Sequence, residues 1–188
     1  PANDTVDIDG NISFSYNVTD SFQISNCSLI FNNKINLTNS SIINGTKLYF
    51  NLSNLPALQY NWSINCTDKA ANINGSGERT AYVVLFEKFN GSTIDLTAVD
   101  IRNITNLTIE NTAAGKINFT QIIDLSGGAD IDKYVNISFN KIEINSTALN
   151  ALNKSATLYL YGLTFSDPRI LRDNALCPSS ICTKLSFA

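Results

Sequence analysis

The chain has 188 residues, 44% of them hydrophobic but only 15% charged, with a net charge of −3 and no histidine. That apolar content is enough for packed cores and excludes a disordered chain; the acidic balance, with no dense Lys/Arg cluster, excludes a phosphate-tracking protein, so no nucleic acid is expected as partner. The lack of histidine removes Ser-His-Asp and Cys-His catalysis together with imidazole metal sites, and with so few charges solubility must rest on amides, hydroxyls and sugar.

The chain opens at Pro1-Ala2-Asn3 with neither a leader nor an initiating Met, which reads as a mature product or a piece of something longer. Ile12, Phe14, Tyr16 and Val18 then alternate with Ser13, Ser15 and Asn17, the period of two that marks a half-buried strand. Leu48, Phe50 and Leu52 repeat that pattern, as do Tyr60, Trp62, Ile64 and Cys66. Cys27 shares its phase with Leu29 and Phe31, and Cys66 shares its phase with Trp62. Both thiols are therefore expected to face inward and to form a bridge joining strands across a sandwich, with two free buried cysteines as the alternative. A loop of that length should stabilise the fold by roughly 4 kcal/mol.

Ala81 to Phe86 reads as the last strand of a first unit. It is the longest apolar run and falls far short of the ~20 residues of a membrane-spanning helix, so no membrane span is expected. Asn90-Gly91-Ser92 supplies turn chemistry at a boundary, which divides the chain into residues 1–89 and 90–188. Strands are expected in the second unit at Ile94 to Ala98, Leu107 to Glu110, Ile117 to Leu125, Val135 to Ile144 and Ala156 to Phe165. Val135, Ile137 and Phe139 hold one phase while Ile142 and Ile144 hold the other, so a bulge or bend is expected near Asn140-Lys141. Ser146 to Lys154 carries Ala148, Leu149 and Leu152 at helical spacing and is the one short helix expected. Cys177 and Cys182 flank a proline turn, which suits a local disulfide rather than zinc.

Asparagine stands two residues before serine or threonine eighteen times: at Asn3, Asn11, Asn17, Asn26, Asn36, Asn39, Asn44, Asn51, Asn61, Asn65, Asn74, Asn90, Asn103, Asn106, Asn118, Asn136, Asn145 and Asn153. With roughly a fifth of residues Ser or Thr, twenty-six asparagines should give about five such triplets by chance. The excess, with an even cysteine count, points to an exported, N-glycosylated, disulfide-bonded chain at an extracellular or cell-surface location. Asn11, Asn17, Asn51, Asn61 and Asn65 fall on the polar phase of their strands, so sugars there would point to solvent.

The string Tyr60-Asn61-Trp62-Ser63-Ile64-Asn65-Cys66-Thr67-Asp68-Lys69-Ala70-Ala71-Asn72, with Cys27 upstream, resembles the Y-x-W-x-V-x-C-x-D-x-A-G-N pattern of Ig-like domains in prokaryotic, especially archaeal, surface proteins. The likeness covers about residues 1–88 and departs from the pattern at Ile64 and Ala71. Residues 153–158, 161–165 and 168–173 resemble β-rich modules that follow such repeats. The resemblance implies an all-β chain of two tandem Ig-like β-sandwich domains in a glycosylated surface component. Against those families both ends lack an edge strand, one before Pro1 and one after the segment Leu185 to Ala188. Such gaps suit strand donation between subunits, and trimming is the alternative.

Other chemistry is sparse. Asp7-x-Asp9-Gly10-Asn11 has the look of a calcium-loop fragment, yet Val18 stands where the closing acid belongs. Asp124, Asp130 and Asp132 read as turn caps before they read as cation ligands. Arg169 and Arg172 beside Asp167 and Asp173 suit an ion-pair cluster, and Tyr49, Tyr159 and Tyr161 suit packing more than sugar stacking. The function expected is therefore non-catalytic: a structural subunit, with glycans but no cofactor and no metal, that self-associates into a filament or surface layer through residues 1–9, 183–188 and the strand Ala81 to Phe86. An adhesin or host-contact module is the alternative, and a secreted carbohydrate-active enzyme with paired carboxylates in a cleft comes after it.

Overall fold

The computed structural model describes residues 1–164 and 169–185, and these are all-β apart from isolated helical turns. The first half contains β1 (Thr5–Asp7), β2 (Ile12–Asn17), β3 (Ile24–Phe31), β4 (Lys34–Asn39), β5 (Lys47–Leu52), β6 (Gln59–Asp68), β7 (Ile73–Gly75) and β8 (Arg79–Leu85). The second contains β9 (Thr108–Asn111), β10 (Gly115–Phe119), β11 (Ala129–Asp130), β12 (Val135–Ser138), β13 (Lys141–Ile144), β14 (Ala156–Leu160), β15 (Leu171–Arg172) and β16 (Ala175–Leu176).

Strands β1, β8, β6, β3 and β4 lie side by side in that order, while β2 and β5 form a separate antiparallel pair. Phe14 and Phe50 sit opposite each other in that pair, and Phe14 meets Trp62 edge-on at 4.9 Å. Phe31 stacks on Tyr60 at 4.7 Å. Such aromatic pairs add about 0.5–1.5 kcal/mol each beyond the area they bury, and together with Ile12, Leu29 and Ile64 they form one core. The alternation in the sequence puts these side chains on one face, and a single buried face fixes the register. Asn32 and Asn33, at φ 49° and 62°, join Phe31 to Lys34 in a two-residue turn that asparagine tolerates better than most residues.

The halves meet at β8. Ala81 and Val83 enter the first core, while Tyr82, Val84 and Phe86 enter a second one built from Leu107, Ile109, Ile117, Phe119, Ile123 and their neighbours. On one edge β8 pairs with β6; on the other it pairs in parallel with β1 and then with β11. The run Ala81 to Phe86, named above as a segment for self-association, is thus flanked by strands from both halves. Gly128, at φ 82°, lies so close to the Leu58 backbone that a Cβ there would collide with it, which fixes another point of contact. Asp132 accepts from the amides of Glu87 and Lys88 at 2.9 and 3.0 Å and ties the chain leaving β8 to the second half.

Several local expectations change. Ile94 to Ala98 is not a strand: Leu96–Ala98 is a 3-10 turn, since the Asp95 carboxylate accepts from Thr97 N at 2.9 Å and only Leu96 is fully buried. The strand expected over Ile117 to Leu125 ends at Phe119, and Ile123 keeps one bridge to Ile104. Val135 to Ile144 is a hairpin rather than a bulged strand, turning at Asn140 with φ 57°. Of the helix expected over Ser146 to Lys154 only the 3-10 turn Asn150–Leu152 forms, with Asn145 Oδ1 accepting from Ala148 N at 3.1 Å. One helical turn, α1 (Ile131–Tyr134), is capped by Asp130. Ala156 to Leu160 is strand, whereas Phe165 lies outside the described residues, as do Asp167 and residues 186–188. No helix among the described residues is long and apolar enough to cross a membrane.

Candidate glycan-bearing faces and a bare surface

None of the eighteen acceptor asparagines is buried: twelve are exposed and six half-buried. The eight other asparagines are also unburied, so exposure alone does not single the acceptors out. Ten of the acceptors lie in strands and eight outside them. An N-x-S/T triplet has the same period as a strand, so its Asn and hydroxyl share one face while the middle residue points the other way. In strands those middle residues include Ile12, Trp62, Phe119 and Ile137, all buried, whereas Leu37 is exposed. Along β6 the outer face reads Asn61, Ser63, Asn65, Thr67, and across the β2–β5 pair Ser13 stands opposite Asn51. Several acceptor amides already serve the fold: Asn3 Oδ1 accepts from Thr80 N at 2.8 Å, and Asn44 Nδ2 donates to Asp20 O at 2.8 Å. A glycosylated amide keeps one N–H, so neither bond forbids sugar.

Both expected disulfides form. Cys27 and Cys66 do not reach across a sandwich, however: they stand directly opposite each other on adjacent strands β3 and β6, with Cα atoms 4.0 Å apart. Equal inward phase is a property of neighbours in one sheet as much as of partners in two. Cys177 and Cys182 close a local loop next to the β15–β16 hairpin.

The acids serve turns. Asp7 Oδ1 accepts from Gly10 N at 2.6 Å, Asp9 Oδ1 from Asn11 N at 2.8 Å, and Asp124 Oδ1 from Ser126 N at 2.9 Å. Among the described residues no group of three metal-ligating side chains gathers. One shallow cleft among the described residues is lined by a single acid, Asp20, and another by Asp95 alone. Arg172 pairs with Asp173 at 3.7 Å on an exposed hairpin, and Arg169 is exposed.

One titrating pair is built into the second half. Glu110 on β9 accepts from the hydroxyl and amide of Ser92 and from the Tyr161 hydroxyl at 2.7 Å. A Cβ on Gly91, at φ 63°, would run into that carboxylate. The Ser92 bonds first, then Tyr161, hold Glu110 at about 2 against an ordinary 4.5. Burial and then Glu110 push the Tyr161 phenol up to about 12 from 10. A depressed carboxyl stabilises the fold above its unfolded pKa and loses that contribution as pH falls, here from 4.5 toward 2; a raised phenol stabilises below 10 and loses its contribution toward 12. Urea midpoints followed against pH are expected to fall at both ends, with a shallower acid limb in Glu110→Gln. An unchanged acid limb in that variant would remove Glu110 from the account.

Exposed apolar side chains occur along the whole chain, while the acceptors end at Asn153. Among the described residues, eight of the seventeen large exposed hydrophobics fall between Leu158 and Leu185, a stretch with no acceptor. It includes β14, the outermost strand of the sheet β14-β10-β9, where Leu158 is 54% exposed. Tyr159 and Tyr49 are also exposed, and each carries a lysine ammonium over its ring, Lys116 at 4.8 Å and Lys47 at 5.5 Å. Tyr161 differs in being half-buried on Glu110. Comparison of the chain with protein-family models, curated proteins and solved structures finds no match.

Proposed function

We propose that the chain is a non-catalytic, N-glycosylated extracellular subunit that associates with copies of itself into a surface filament. It consists of two Ig-like β-sandwich units, residues 1–89 and 90–188, of the kind found in archaeal surface proteins, fused through β8. The observation that supports this reading is a stretch without acceptors in which exposed apolar side chains cluster. Sugar would coat the strand faces of residues 1–153, while the bare stretch from Leu158 to Leu185 presents apolar side chains and the outer edge of β14. An unpaired strand edge with exposed leucines is a template for another chain. Contact between that patch and a different patch on the next copy is head-to-tail, and it yields an open polymer when the rotation does not close.

Glycosylated full-length protein examined by electron microscopy and light scattering is expected to form polymers. Leu158→Lys, on an exposed side chain, should abolish them while changing stability by no more than about 0.5 kcal/mol. A wild-type chain that stays monomeric at high concentration overturns the assembly reading. If that monomer instead adheres to a foreign surface through the same bare patch, the chain is an adhesin.

A further inference from the structure

Cys27, which is buried, and its half-buried partner Cys66 are both the middle residues of acceptor triplets: Asn26-Cys27-Ser28 and Asn65-Cys66-Thr67. The bridge sets the triplets side by side, with Asn26 opposite Thr67 and Ser28 opposite Asn65, so all four polar side chains share one face of the sheet. Acceptor triplets belong to accessible surface loops, because the transferase must engage the Asn amide and the hydroxyl two residues on together. These two triplets are instead held in paired strands, with Asn26 and Asn65 half-buried. Strand β3 is hydrogen-bonded to β4 and β6, and β6 to β3 and β7 at this point, so neither backbone can lift out alone. The Ser28 side chain is buried, with its hydroxyl 2.8 Å from Thr38 Oγ1. The Asn65 amide lies against Gly75, occupying the space a Cβ there would need. Asn44, Asn106 and Asn153, in contrast, are exposed and lie outside strands.

We propose, building on the glycoprotein reading above, that Asn26 and Asn65 are a redox-timed glycosylation pair: each accepts sugar only while Cys27–Cys66 is open, and closing the bridge withdraws both acceptors. Transfer forms a bond from Asn Nδ2 to the anomeric carbon of a lipid-phosphate-linked oligosaccharide. That carbon's bond to the phosphate oxygen breaks, the lipid phosphate leaves, and the amide gives up one proton. Bridge formation removes two protons and two electrons from the thiols, and a partner disulfide takes them to become a dithiol. The two reactions compete for one stretch of chain in its unfolded, reduced state.

The test is glycopeptide mass spectrometry of the full chain made in a glycosylating secretory host. In wild type, Asn44 and Asn153 are expected to carry sugar on most chains, and Asn26 and Asn65 on a minority. Synthesis under a membrane-permeant dithiol, and separately the variant C27A/C66A, should turn that minority into a majority. Asn118 is the control for general unfolding: it lies in the inner strand β10, and its middle residue Phe119 carries no thiol. Its occupancy should not move. Asn26 and Asn65 unaffected by reduction and by the variant, or Asn118 rising in parallel with them, overturns the coupling while leaving the glycoprotein reading in place. Sugar on no acceptor at all overturns that reading, and the coupling falls with it.

Discussion

Tyr82→Ala is expected to lower the stability of both halves in one step, by about 3–5 kcal/mol, the cost of truncating a fully buried aromatic residue. Tyr82 is 2% exposed and packs into the second core. Its hydroxyl bonds to Asp4 at 3.2 Å and to Arg102, and the Arg102 guanidinium lies 5.1 Å over its ring. Its neighbours Ala81 and Val83 enter the first core, so loosening β8 on one face withdraws support from the other. Val83→Ala, smaller and aimed into the first core, should cost about 2 kcal/mol. In denaturant, far-UV signal and Trp62 fluorescence, which reports the first core, are expected to shift together for either variant. If Tyr82→Ala leaves the Trp62 transition in place and moves a separate one, the halves fold independently and the shared strand does not couple them.

The sequence announced strands well where one face is buried and the other polar. Ile12–Asn17, Lys47–Leu52 and Gln59–Asp68 alternate for that reason, and their residues stand where the period places them. It was silent on Lys34–Asn39, where Ile35 and Leu37 are exposed and no buried face imprints a pattern; the pairing there comes from the Asn32-Asn33 turn and β3. It placed a last strand of the first half at β8 but did not show that the unbroken run Tyr82-Val83-Val84 reflects burial on both faces, a signature of a strand interior to the sheet. Parallel pairing with Ala129–Asp130 brings together residues more than forty positions apart, which no local pattern encodes. The acceptor asparagines were legible because the motif spans three residues. Glu110 and Tyr161 were not, since 51 positions separate them and only the folded second half makes them partners.

Removing the two disulfides is expected to have unequal consequences, and their sizes follow from the chain each one encloses. Cys27 and Cys66 are 39 positions apart, so the bridge removes about 4 kcal/mol of loop entropy from the unfolded state. Cys177 and Cys182 are 5 apart, which on the same relation gives about 2 kcal/mol, confined to an exposed hairpin region outside both cores. C27A/C66A should therefore shift the global urea transition by most of that 4 kcal/mol, with a steeper denaturant dependence because the uncrosslinked unfolded chain exposes more surface. C177A/C182A should leave the same transition nearly unmoved and show its effect as faster amide exchange or cleavage around Leu171–Leu176. Bridging neighbours in one sheet adds little contact that strand pairing does not already supply, so the stabilisation has to act through the unfolded chain. Equal losses from the two variants, or an unchanged denaturant slope in C27A/C66A, would mean that the Cys27–Cys66 bridge acts through native packing around the fully buried Cys27 instead.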